Sequence, residues 1–326
     1  MFMTYNFGNN NKKYEDGGLI MKLEGVLNDS ELMKEISKKI DSKEVIEYVE
    51  KRQNEGFVDI DKEAIILQIG RPSFLILNNS FDSSESEAWS VKLNNNLDKL
   101  RAVIPSVGRV ELVGHLSYDW VGTAWLVSDN VIITNRHVAE VFVTGTEGDF
   151  SFKVNANNKK IKASIDFREE YKNSEEIEFK IRRVLHIEKE TGPDVAFFEI
   201  ENTNDNNTKL PSKVSLFNKT IEHEYDVAAI GYPAYDSRND SEAMKEIFKN
   251  VYDTKRLSPG ILYPVDQGEA ILKHDCSTLG GSSGSLIVDI NTGLAMGLHF
   301  AGKYLDHNYA VSSTKILEIM NKLGIK

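Results

Sequence analysis

Downstream of Pro105 the chain becomes a series of short runs rich in β-branched and aromatic residues, separated by turn residues. Examples are "RVELVGHL" (109–116), "GTAWLVS" (122–128), "VIITN" (131–135), "VAFFEI" (195–200), "YDVAAIGY" (225–232), "SLIVDI" (285–290) and "GLAMGLHF" (293–300). No helix-length pattern alternates with them. Parallel strands need long, usually helical, crossovers, so this texture predicts an antiparallel sandwich or barrel. One amphipathic helix closes the chain, with Val311, Ile316, Ile319 and Leu323 as its apolar positions. Residues 235–259, "YDSRNDSEAMKEIFKNVYDTKRLSP", interrupt the β texture and read as a surface insertion.

Ahead of residue 105 the pattern is different. Residues 1–27 are polar and rich in Asn and Gly, the composition of a poorly ordered tail. Asn28 and Glu31 form a capping-box pattern, and Leu32, Ile36 and Ile40 recur at helical spacing. Asp41 and Glu44 restart the pattern, which carries Val45 and Val49 and stops at Gly56. A third short helix is expected from Asp61 to Ile69, then a strand over 73–77. A further helix over 86–102 has Trp89, Leu93, Leu97 and Leu100 on one face. The organisation expected is a tail (1–27), a mostly helical region suited to docking or regulation by a protein partner (28–105), and a β domain (106–326).

Bulk properties exclude several function classes. The net charge of −11 disfavours nucleic acid or an anionic membrane as chief partner. No apolar run reaches the length of a membrane span, and no signal-peptide core opens the sequence. The single cysteine, Cys276, allows no intrachain disulfide, so a reducing, cytoplasmic setting is expected. Its position between Asp275 and Ser277 lacks a glycine turn, and a buried, inert thiol is expected there. The seven histidines are scattered, with neither a Cys/His cluster nor a metalloprotease helix, and no phosphate-binding loop occurs. No metal or cofactor is expected.

Chemistry concentrates in "GGSSGS" (280–285), directly ahead of the apolar run 286–288. Acyl transfer by a serine needs a base, a group that orients the base, and amides aimed at the developing oxyanion. Glycines beside the serine allow the tight turn that exposes such amides. Alone the hexapeptide fits a plain loop equally well. Two other stretches join it: "VIITNRHV" places His137 just after an apolar strand, and "GPDVAFFEI" places Asp194 just before one. With Ser282 or Ser283, three groups sit at strand-to-turn junctions, in the chain order His, Asp, Ser.

That order and those flanks resemble the chymotrypsin-like serine proteases, in particular the bacterial branch of glutamyl endopeptidases and trypsin-like peptidase-domain proteins. "GTAWLVSDNVIITNRHV", "PDVAFFEI", "STLGGSSGSLIVD" and "GLAMGLHFAG" resemble, in turn, the histidine, aspartate, nucleophile and pocket-wall blocks of that branch. The resemblance spans roughly residues 106–326. It implies a mainly β fold, a chymotrypsin-like double β-barrel with a C-terminal helix, preceded here by the helical region. It selects Ser283 as nucleophile, His137 as base, Asp194 as its orienting partner, and the amides of Gly281 and Ser283 as the oxyanion hole. The frame Gly280–Gly284 also reads as a hydrolase elbow, but that fold needs Asp and His after the serine, where only Asp289, His299, Asp306 and His307 remain.

Two departures from the trypsin pattern carry consequences. Ser282 stands where trypsin-type zymogens carry the aspartate that pairs with a new N-terminus, so that mode of activation is not expected. Ser277, six residues before the nucleophile, replaces the acid of a trypsin pocket, which disfavours Arg or Lys before the cleaved bond. Thr278, His299 and Gly302 match positions that bind a substrate carboxylate in glutamyl endopeptidases, which implies a preference for acidic residues. The expected function is a serine endopeptidase acting on proteins or peptides, with restraint by the N-terminal region and a role in bacterial defence or stress as analogy only. The alternative is a protease-fold binding or adaptor protein with little turnover.

Overall fold

The computed structural model describes residues 70–326 apart from 147, 237–238, 240, 265–269 and 303–307, together with Ser30 and Lys34. The tail (1–27) and the helices expected between 28 and 69 otherwise lie outside the described residues, as do Asp306 and His307.

The described chain runs β1 (Phe74–Leu77), β2 (Ser80–Phe81), α1 (Glu87–Asn95) and α2 (Leu97–Val103), then β3 (Val107–Val113), β4 (Trp120–Ser128) and β5 (Val131–Thr134). Next come α3 (Arg136–Phe142), β6 (Val143–Thr144), β7 (Ser151–Phe152), β8 (Lys162–Asp166), β9 (Glu178–Ile187) and β10 (Ala196–Ile200). The second half holds β11 (Tyr225–Gly231), α4 (Ser241–Phe248), β12 (Arg256–Leu262), β13 (Ile271–His274), β14 (Leu286–Asp289), β15 (Ala295–Gly302), β16 (Asn308–Ser312) and α5 (Ser313–Leu323).

Two antiparallel barrels result, as the strand texture predicts. The first closes in the order β10-β5-β4-β3-β8-β9. The second runs β11-β14-β15-β16-β13-β12 and closes through β11–β12, with β1 and β2 added beyond β12. The continuous apolar runs of β4, β5 and β10 follow from burial on both faces. Ala124 and Leu126 fill the first barrel with Ile132 and Phe198. Their neighbours Trp125, Val127, Ile133 and Phe197 point the other way, into a cluster shared with Ala228, Leu286 and Leu298 of the second barrel. That shared cluster also takes up Trp89, Leu93 and Leu100 of α1 and α2.

Three local expectations are corrected. The helix over 86–102 breaks at Asn96 into α1 and α2, and Leu97 is only half-buried. The insertion expected over 235–259 is shorter and better packed than that: α4 exposes Glu242 and Lys245 but buries Ala243, Met244, Ile247 and Phe248, and β12 already begins at Arg256. In the closing helix Val311 belongs to β16, Leu323 is exposed, and Met320 joins Ile316 and Ile319 on the buried face. Cys276 is buried in the interior of the second barrel, as expected.

Candidate active site

The cleft between the barrels gathers the three candidate residues. β5 pairs with β10 in a register that sets Thr134 opposite Ala196, so the chain leaving β5 and the chain entering β10 meet at one end of the barrel. Asn135 donates from its side-chain nitrogen to the Asp194 carbonyl (2.9 Å), fixing that junction. His137 follows in the first turn of α3. Its Nδ1 lies 2.5 Å from Asp194 Oδ2, and its own amide donates to Oδ1 at 3.1 Å. Across the cleft, Nε2 lies 2.9 Å from Ser283 Oγ. Asp194 is largely covered while the His137 side chain is 44% exposed, which leaves the imidazole within reach of a substrate. Burial pushes the Asp194 carboxyl up, but the bonds and charge of His137 outweigh it and hold the group below the usual carboxylate range.

The Ser283 loop depends on two glycines in left-handed conformation, Gly281 (φ +82°) and Gly284 (φ +88°). A side chain on Gly284 would strike the Thr123 carbonyl, and one on Gly281 would strike the Trp120 ring and the Tyr232 carbonyl. The Gly280 carbonyl accepts from the Ala234 amide at 2.5 Å. In a trans peptide C=O and N–H point in opposite directions, so the Gly281 N–H is turned away from Ala234. Among the described residues neither the Gly281 nor the Ser283 amide has an acceptor. Ser282 is buried, and its hydroxyl accepts from the Leu279 amide at 3.3 Å, a neutral contact inside the loop.

A family model described as the trypsin-like peptidase domain matches residues 122–298, more than half of the chain. The chain belongs to this family. It is also 28% identical over 300 residues to a protein of Lysobacter enzymogenes named a probable serine protease, an alignment covering 81% of this chain and 75% of that protein. As a trypsin-like serine peptidase its substrates are proteins or peptides.

The residues expected to wall the substrate pocket of this peptidase fall into two groups. Thr278 and Gly302 are neighbours: a Cβ on Gly302 would sit 3.2 Å from Thr278 Oγ1. Ser277 donates its hydroxyl to the Arg71 carbonyl (2.7 Å), pointing back toward the chain ahead of β1. His299 is buried, with Nδ1 3.1 Å from Nε2 of the buried His274. Its carbonyl accepts from the Gly284 amide and its amide donates to the Ser285 carbonyl, so β15 carries the Ser283 turn.

Thr123 and Arg71 were missed in the sequence. Thr123 is a fully buried polar residue in an otherwise apolar strand, and that incongruity in "GTAWLVS" was the available signal. Arg71 offered no such signal, since its partner Asp275 is 204 positions away.

Proposed function

We propose that the chain hydrolyses peptide bonds through an acyl-enzyme on Ser283. The observation that carries this reading is the unbroken hydrogen-bonded path from Asp194 through His137 to Ser283, built from both barrels at 2.5 and 2.9 Å. His137 Nε2 takes the proton of Ser283 as Oγ attacks the scissile carbonyl, then delivers it to the leaving amine. Asp194 accepts from Nδ1, fixes the tautomer and stabilises the imidazolium. The amides of Gly281 and Ser283, free of internal acceptors, receive the oxyanion. Water then enters, activated by the same imidazole, and releases the acid product.

The pocket favours acidic over basic side chains in this reading. The acid closest in sequence to Ser277, Asp275, is fully buried and neutralised by Arg71, so it offers nothing to a lysine or arginine. Thr278 beside Gly302, together with His299 of the buried His274–His299 pair, supplies polar groups suited to a carboxylate. The N-terminal region restrains or docks the enzyme, and the single cysteine fits a reducing compartment.

A fluorophosphonate probe tests the nucleophile. It is expected to label wild type at Ser283 and to leave Ser283→Ala unlabelled; folded wild type that never labels would refute the reading. A peptide library reports the residue before the cut. Acidic residues are expected to dominate, and selection for lysine or arginine would overturn the pocket assignment.

A further inference from the structure

The chain just ahead of β1 is threaded behind the nucleophile segment. Arg71 is 1% exposed and its Nη2 lies 2.6 Å from Oδ2 of the fully buried Asp275. The Arg71 carbonyl accepts the Ser277 hydroxyl at 2.7 Å. One residue therefore holds two of the three positions 275–277 at once, by side chain and by main chain. The thread is clamped on both sides. Gly70 O accepts from Trp89 Nε1 (2.9 Å) and from Arg71 Nη1 (2.6 Å). Ser73 O accepts from the buried Arg256 (2.5 Å), and Ser73 Oγ accepts from Ser258 (2.8 Å). A small polar cavity lies beside this thread, lined in part by Arg256, Ser277, Thr278 and Ser282.

We propose that Arg71 is a positioning residue for the substrate pocket, supplied from outside the two barrels and upstream of the region that matches the family. The proposal rests on reading Ser277 and Thr278 as pocket wall. Asp275 would keep an anchor without Arg71, because it also accepts from the Ile261 amide (2.7 Å) and the Tyr263 hydroxyl (2.8 Å). Those contacts hold Asp275 to β12 and to Tyr263 just after it, and neither reaches Ser277. Among the described residues Arg71 alone joins the ion pair to the wall residue, so the pocket is tied to the segment 70–73 ahead of β1.

The decisive variant is Arg71→Met/Asp275→Asn in the full chain. It leaves no unpaired buried charge: the asparagine oxygen still accepts from the Ile261 amide, and its NH2, in the place of Oδ2, donates to the Tyr263 hydroxyl. Three readouts are compared with wild type: fluorophosphonate labelling of Ser283, turnover of the best library peptide, and amide exchange over residues 275–279. The expected result is labelling within about twofold of wild type, kcat/KM reduced by about tenfold or more mainly through KM, and faster exchange confined to that segment. Arg71→Lys, which keeps the charge but loses the fork, is expected to fall between the two and serves in place of the double variant if that fails to fold.

Wild-type kcat/KM and exchange in the folded variant would overturn the proposal. So would labelling and turnover falling together with exchange rising throughout the second barrel, the mark of a merely structural pair. Failure of wild type itself to label would instead overturn the nucleophile reading and the pocket role with it. That result is distinct from failure of the Arg71 contact alone, in which wild type labels normally.

Discussion

Thr123 joins the two barrels at Ser283. Its amide donates to the Ser283 carbonyl (2.8 Å), its hydroxyl donates to the Gly281 carbonyl (3.2 Å), and the same hydroxyl accepts from the Tyr232 amide (3.1 Å). Thr123→Val keeps the shape, abolishes both hydroxyl contacts and strands a buried amide. It is expected to cost about 1–3 kcal/mol in denaturant melts. Because the Gly281 amide is one of the two proposed oxyanion donors, kcat is expected to fall while KM changes little. Asp194→Asn tests the neighbouring link: an amide favours the wrong imidazole tautomer, so kcat is expected to drop by on the order of 10⁴-fold with the fold intact. Asp275 supplies a pH signature. Burial raises its carboxyl, but the Arg71 charge and its hydrogen bonds prevail and the group lies below its ordinary value. A carboxylate depressed in the folded state contributes stability above its unfolded pKa, and that contribution disappears as pH falls through the folded pKa. Wild type is therefore expected to lose stability on the acid side more steeply than the double variant Arg71→Met/Asp275→Asn, as read from melts across a pH series.

At the scale of elements, legibility followed burial. β4, β5, β10, β11 and β14 are buried over most of their length, so their sequences are largely apolar and announce themselves. β9, "EFKIRRVLHI", alternates exposed charges with the buried Phe179 and Ile181, and β8, "KASID", buries Ser164 and Asp166 beside Ala163 and Ile165, so neither forms an apolar run. β12, "RLSPGIL", was hidden by its own chemistry: it opens on a buried Arg256 and contains Pro259. Arg256 is tolerated because carbonyls of Ser73, Phe248 and Val251 accept from it. Pro259 is tolerated because β1 reaches only Arg256 and Leu257, and β13 only Leu262, which leaves no partner on that side to lose. The three site residues were legible because strand ends punctuate them, whereas the Arg71 contact depends on a pairing that no local pattern encodes. The closing helix tests the corrected face. Ile316 is fully buried and Leu323 is 38% exposed. Ile316→Ala is expected to cost about 2–5 kcal/mol, and Leu323→Ala no more than about 0.5, in parallel urea titrations. Equal losses would place Leu323 in the core after all.

For the whole molecule the deciding fact is that the barrels share a core. His137 and Asp194 belong to the first and Ser283 to the second, so the 2.9 Å contact between them is only as stable as the packing between barrels. That packing is one continuous cluster. Trp125 and Phe197 of the first barrel meet Leu286 and Leu298 of the second, with Trp89 and Leu100 of the helices ahead of them. Neither barrel can lose its structure without exposing the other's apolar face, so one cooperative transition is expected for this region. Trp125 is the sharpest probe. It is fully buried, and its indole nitrogen has no partner among the described residues. Trp125→Phe keeps most of the apolar volume and removes an unsatisfied donor, so it is expected to be mild. Trp125→Ala opens a cavity at the junction and is expected to cost about 3–5 kcal/mol. The transitions followed by far-UV circular dichroism and by loss of Ser283 labelling should then shift together by the same amount. If labelling were lost well before the dichroism changed, the barrels would separate as independent units, and the site would have to be understood as a docking of two domains.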